Sequence, residues 1–173
     1  MEQANSGVKS EITPKIVIIG GGFAGVRCAL DCAKKHSDWS ILLVSKEKEF
    51  TYYPAMYRFV HGAARAHVAI DFDTIFKSYK NVVVAQDTIV DIDPAQKIAT
   101  GDSGMIYRAE DAMVVAMGSD TNYFHIEGVG EYSFNFKSLD AAATLRDRVA
   151  ELFSRHVGCD TAEMLVEIGR AHV

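Results

Sequence analysis

Gly20, Gly22 and Gly25 form a G-x-G-x-x-G run between an apolar segment, residues 15–19, and a segment with helical periodicity. In that setting each glycine does a separate physical job. Gly20 allows the tight turn, Gly22 lets the backbone approach a pyrophosphate, and Gly25 permits close helix–strand packing. A helix opening at Phe23 and Ala24 presents free N–H groups and about half a positive charge to an anion. The spacing alone is a weak signal. The strand before it and the helix after it make it a strong one, against the alternative of a glycine turn that binds nothing. The dinucleotide is left open by the end of the second strand, where Asp or Glu would accept hydrogen bonds from an adenosine ribose and Ser45 stands instead, followed by Lys46. Position 45 by itself favours NADP over NAD or FAD, and losing a charged acceptor costs about 1.5–3 kcal/mol, which weakens such a site without abolishing it.

Other reactive side chains read more plainly as structure. Cys28 and Cys32 lie four apart on one helix face, a poor geometry for a bridge, and suit small packing positions. Cys159 stands alone in a polar segment, and the 6 histidines form no H-E-x-x-H and have no C-x-x-C companion, so no metal site is expected. Phe50, Tyr52, Tyr53, Tyr57 and Phe59 suit core or loop packing, with a quinone platform as the alternative.

The elements that must hold the glycine turn follow from periodicity. Residues 15–19 and 41–44 are continuous apolar runs, the pattern of strands buried on both faces of a parallel sheet, and residues 23–35 between them carry Val26, Ala29, Leu30 and Ala33 at helical spacing. Together they make a β-α-β unit, hence a Rossmann-like, doubly wound α/β fold. Residues 45–53 read as loop, Pro54 opens a short helix through about His61, and residues 70–79 suggest another. Residues 81–85, 88–92 and 96–100 read as strands of a small antiparallel element, with turns at 93–95 and 101–104. Residues 112–116 return to the buried parallel sheet. A last helix runs from about Ser138, an N-cap, to His156.

The 173 residues, 49% hydrophobic, supply one sizeable core, and 18 Lys+Arg against 23 Asp+Glu give a net charge of −5. That balance argues against nucleic acid as a partner, because such affinity needs a concentrated basic surface. The start lacks the basic and apolar regions of an export signal, and the longest uncharged stretch, residues 16–26, is broken by glycines where a membrane span needs about 20 apolar residues. A reducing, cytoplasmic setting is the expectation.

Four landmarks occur in order: the run Lys15–Gly25, then Glu49-Phe-Thr-Tyr-Tyr-Pro-Ala-Met-Tyr57, then Asp111-Ala-Met-Val-Val-Ala-Met-Gly-Ser119 with Asn122-Tyr-Phe124, then Lys137-Ser-Leu139. Over about residues 15–153 this resembles the type II NADH dehydrogenases, FAD-containing flavoproteins with two dinucleotide-binding domains. The resemblance implies that Gly20, Gly22, Phe23, Ala24 and Gly25 hold the FAD pyrophosphate, that Ser45 and Lys46 border the adenosine, and that Ile89 meets the adenine through its backbone. It places Pro54 near the isoalloxazine. Ala116, Met117 and Gly118 match a stretch in which Met117 replaces the commoner Thr; backbone approach to the flavin needs Gly118 and not Thr. NAD(P)H and a quinone are the implied substrates, with a homodimer and a peripheral position on the inner face of the membrane for the full-length protein.

The expected organisation is a flexible tail over residues 1–14, an FAD-binding domain over 15–157, and a truncated linker over 158–173 before a missing NADH domain. Residues 168–173 can be encoded by the start of a common sequencing adapter and are expected not to be biological. The enzyme reading stands beside two others: a non-catalytic FAD or ADP module, and a sulfide:quinone oxidoreductase in which Cys159 forms the reactive adduct.

Overall fold

A computed structural model of the chain describes residues 10–156. Strand β1 (Glu11–Ile12) precedes β2 (Ile16–Ile19), whose four residues are all buried, and Gly20–Gly22 turn the chain into helix α1 (Phe23–Lys35). Strand β3 (Ile41–Ser45) follows, buried along its whole length. The chain then forms β4 (Glu49–Thr51), a 3₁₀ turn at Tyr53–Ala55, α2 (Met56–Val60), β5 (Ala69–Asp71) and α3 (Phe72–Phe76). Five strands come next: β6 (Val82–Gln86), β7 (Ile89–Asp93), β8 (Ile98–Gly101), β9 (Ile106–Arg108) and β10 (Ala112–Val115). Short α4 (Val129–Tyr132) and long α5 (Leu139–His156) complete the order.

The parallel sheet runs β10-β2-β3-β6. Because side chains alternate along a strand, its two central strands supply two cores. Ile16, Ile18, Ile41 and Leu43 face α1, where Val26, Ala29 and Ala33 meet them. Val17, Ile19, Leu42 and Val44 face the other way, onto Ala99 and Tyr107 of the second sheet and Ala109 just beyond it. That sheet, β1-β9-β8-β7, is the small antiparallel element, with β1 added in parallel to β9. The uninterrupted apolar runs of β2 and β3 are thus explained: both faces are covered. A third cluster, Met56, Phe59 and Val68 against Leu139 and Ala142, seats α2 on α5, and Ser138 caps α5 by accepting the Ala141 amide at 3.1 Å.

Several expectations from the sequence differ in the structure, beginning with the stretch 45–53, read as loop, which carries the end of β3 and the strand β4 held by pairing with β5. The polar stretch expected to be a tail carries β1: Glu11 and Ile12 pair with Ile106 and Tyr107, and Glu11 binds Arg108. Two residues of edge strand leave no periodicity to read. Strand β6 pairs with β3 in the parallel sheet and is not part of the antiparallel element. Residues 69–71 form a strand against β4, Phe50 opposite Ile70, so the helix expected over 70–79 shrinks to α3. The reading also missed β9, which completes a hairpin with β8. The first nine residues and the linker at 158–173 lie outside the described residues.

Candidate functional site

The C-terminal ends of β10, β2, β3 and β6 lie along one edge, and the chain leaves β2 toward β3 on one side while β10 returns on the other. That arrangement makes a topological switch point, where open α/β sheets bind ligands. The three motif glycines play different parts there. Gly20 has φ +110°, and a Cβ on it would stand 2.7 Å from the Ala116 carbonyl carbon, so its bareness lets the ends of β2 and β10 close on each other. A Cβ on Gly25 would collide with the Gly20 carbonyl, so Gly25 lets α1 pack onto the turn. Gly22 differs from both. Its φ of −82° suits any residue, and a Cβ there would meet nothing within 4 Å. The fold does not need that glycine, and the space above it is open.

Gly22 is also the N-cap of α1, with no side-chain cap and no acidic residue in the first turn. The helix therefore offers its first N–H groups uncapped and without a competing negative charge. These are the features a diphosphate requires, and the residues present fit one.

Around this centre the structure gathers most of the residues that the resemblance singles out. Ala116 lies beside Gly20, its amide bonded to the Ile19 carbonyl at 2.7 Å, and Met117 and Gly118 follow in exposed backbone, Gly118 at φ +77°. Phe23 packs edge-on against Phe50 at 4.9 Å and leans on Tyr52 and Tyr53, which brings exposed Pro54 to the rim beside α1. Ser45 is buried beneath the turn, its side chain together with the Phe72 ring filling the space under Gly21. Lys46 is exposed, and its carbonyl accepts the Gln86 side-chain amide at 3.3 Å. Ile89 is half-buried at the start of β7, packed against the core cluster that holds Ile19 and Val44, and two residues before it the Asp87 amide bonds the Ser45 carbonyl at 3.0 Å. Cys28 and Cys32 are free thiols packed at the edge of the α1 core, with burial pushing the Cys28 thiol up. Cys159 lies outside the described residues.

Sequence reading missed Asp87. Its buried carboxylate accepts four hydrogen bonds, from the Thr88 amide at 2.8 Å, the Tyr107 hydroxyl at 2.8 Å, and the amide and hydroxyl of Ser103. Burial raises its pKa, but the hydroxyls of Ser103 and Tyr107 and the two amides outweigh that and hold it below the ordinary carboxylate value. Burial first, and then the bond to Asp87, push the Tyr107 phenol up to about 12.

The pair sets two limits on stability. Tyr107 contributes stability that is complete below its unfolded pKa near 10 and is lost as pH rises toward about 12, on the order of 2 kcal/mol in all. Asp87 contributes stability present above its unfolded pKa of about 3.9 and lost as pH falls through its lower folded value. Tyr107→Phe should therefore flatten the fall in Tm above pH 10 and move the acid limb to higher pH, as followed by circular dichroism melts across the pH range.

Two shallow hollows share Glu47, Lys48, Glu49 and Arg65, one reaching Tyr53 and the other Gln86; they are mixed in charge and contain the Arg65–Glu49 ion pair. Among the described residues no helix is long and apolar enough to cross a membrane.

Comparison with known proteins decides the family. A family model described as pyridine nucleotide-disulphide oxidoreductase matches residues 14–169. The chain belongs to this family. Relatives include the type II NADH:quinone oxidoreductases Ndh and NdhA of Mycobacterium tuberculosis, at 27% identity over 82% of this chain and 30% over 86%. Demethylphylloquinone reductase NdbB of Synechocystis is 28% identical over 83%. The chain covers 31%, 32% and 37% of those proteins, about a third of their length. Its fold is shared with sulfide:quinone oxidoreductase from Aquifex aeolicus (TM-score 0.72, 22% identity, 84% of this chain and 32% of that one). It is shared also with NDH2 from Plasmodium falciparum (TM-score 0.69, 20% identity, 89% and 31%). The family match begins one residue before Lys15 and takes in the glycine turn, the aromatic rim and the end of β10 alike.

Proposed function

We propose that this chain is the FAD-binding portion of an oxidoreductase of the type II NADH dehydrogenase kind, in which hydride passes from NAD(P)H to FAD and two electrons go on to a quinone. The observation that carries the proposal is the open space at Gly22: a glycine that the fold could replace stands where a diphosphate needs bare backbone, beside two glycines that the fold cannot replace. Membership of the family and the names of the relatives support the redox chemistry.

Under this reading Gly22, Phe23, Ala24 and Gly25 donate backbone hydrogen bonds to the FAD pyrophosphate, with Gly20 shaping the turn. Ser45 and Lys46 border the adenosine, and Ile89 meets the adenine through its backbone. Pro54, Ala116, Met117 and Gly118 border the flavin. Bound FAD supplies the hydride and two-electron chemistry, while the protein supplies position and electrostatics. Residues 15–157 form the FAD-binding domain. For the protein of the relatives' full length, the reading carries NAD(P)H and quinone as substrates, a homodimer, and a cytoplasmic location peripheral to the inner face of the membrane.

A second reading is a module that binds FAD or ADP without turnover, which the same glycine turn would serve. Titration calorimetry with ADP and FAD tests what both readings share: saturable micromolar binding is expected, and none up to millimolar nucleotide would overturn them. A yellow protein whose flavin absorbance bleaches with NADH then separates the enzyme from the module.

A further inference from the structure

We propose that Asp87 is the positioning residue for the adenine end of the dinucleotide site, fixing the backbone that reads the base; this rests on the FAD or ADP reading above. The parallel sheet sets the direction. A diphosphate on the N-terminus of α1 sends its adenosine over the end of the next strand, β3, and so toward the exit of the strand beside it, β6. That exit is the corner 86–89, where Gln86 reaches the Lys46 carbonyl and the Thr88 amide bonds the Asp87 carboxylate.

Asp87 holds the corner from both directions. Its backbone amide bonds the Ser45 carbonyl at 3.0 Å, joining the corner to the floor of the glycine turn. Its carboxylate binds Ser103 and Tyr107, clamping the corner to the β8–β9 hairpin, while the Asp102 amide bonds the Thr88 carbonyl at 2.8 Å. The hairpin is shaped to receive it: a Cβ on Gly101 would stand 2.6 Å from the Asp87 carboxyl carbon, so Gly101 leaves the space that the carboxylate fills. Gly101 is also the cross-strand partner of Ile89, and the ladder shifts register immediately after that pair. The carboxylate thus sits inside the one irregular place in β7, where Ile89 has its orientation fixed by the hairpin and not by a continuous ladder.

A buried carboxylate with four donors would stabilise any domain, so the test must read position separately from stability. ADP and inosine diphosphate share the diphosphate and ribose and differ at the base edge. The ratio of their affinities, measured calorimetrically well below Tm, is unmoved by a general loss of stability because both scale with the folded fraction. Asp87→Asn is expected to weaken ADP about tenfold while leaving inosine diphosphate nearly unchanged, the weight of about one hydrogen bond at the base. Tyr107→Phe, a milder change that keeps the ring, is expected to move the ratio in the same direction by a smaller factor if Asp87→Asn does not fold. An unchanged ratio in a folded variant would overturn the positioning role while leaving the site intact. Failure of the unsubstituted chain to bind either nucleotide would instead overturn the site itself, and the proposal with it.

Discussion

Gly25→Ala is expected to destabilise the chain severely, lowering Tm by more than about 10 °C or preventing recovery of soluble protein. Helix propensity alone points the other way: alanine inside a helix is favoured over glycine by about 1 kcal/mol. The sign of the experiment is decided by packing. A Cβ at position 25 would overlap the Gly20 carbonyl oxygen, stand 3.1 Å from its carbon, and press on Ile18 at 3.4 Å. The first two are backbone atoms of a turn already held by the Gly20 amide on the Val44 carbonyl at 2.8 Å, so nothing flexible can yield. Relief requires α1 to lift off the sheet, exposing Val26, Ala29 and Ala33 together with the strand residues beneath them. Overpacking usually costs about 1–3 kcal/mol, and a clash with backbone that cannot yield puts this one above that range, at about 4 kcal/mol or more, with about 2–4 °C per kcal/mol in a chain of this size. A thermal melt by circular dichroism reads it directly; a stabilised variant would show that α1 does not pack where the structure places it.

Gly25 also shows what a sequence can carry. Its role follows from the G-x-G-x-x-G spacing and the flanking periodicities, because strand, turn and helix are all local. The same holds for β2 and β3, whose continuous apolar runs fit strands covered on both faces, and for α5, whose Ser138 cap and apolar stripe are both written within one element; β10 joins the same parallel sheet as expected, but at its edge, where its residues are at most half-buried and Val115 is exposed. What could not be read depends on partners far along the chain. Val82–Gln86 looks like any short apolar strand, and only pairing with β3 makes it parallel. Glu11 and Ile12 become a strand because β9 offers them an edge almost a hundred residues away. Asp87 looks like an ordinary turn residue after a valine run, and its weight comes from Ser103 and Tyr107, sixteen and twenty residues on. Phe72 and Ser45 were likewise silent about the floor they form under Gly21, where a Cβ would stand 2.5 Å from the Phe72 ring. Local signals thus placed the glycine turn; the devices that hold its rim are tertiary.

Gly22→Val separates the cradle from the fold that carries it. The backbone at Gly22 is extended, with φ −82° and ψ −169°, a conformation that a β-branched residue adopts readily, and no atom lies within 4 Å of the added Cβ. The cost to the folded chain is confined to exchanging glycine for a poorer N-cap, about 1 kcal/mol, so Tm should fall by no more than about 4 °C. The added methyl groups occupy the volume that a diphosphate must enter to reach the amides of the first helical turn. Losing two charge-assisted hydrogen bonds at about 1.5–3 kcal/mol each weakens binding by at least about 100-fold, so ADP titration should show no saturation at concentrations that fill the unsubstituted chain. The contrast with Gly25→Ala is sharp: one glycine removed with the fold lost, its neighbour removed with the fold kept and the ligand lost. If Gly22→Val binds ADP as the unsubstituted chain does, the diphosphate does not lie on α1, and the assignment of this edge of the sheet as a dinucleotide site fails with it.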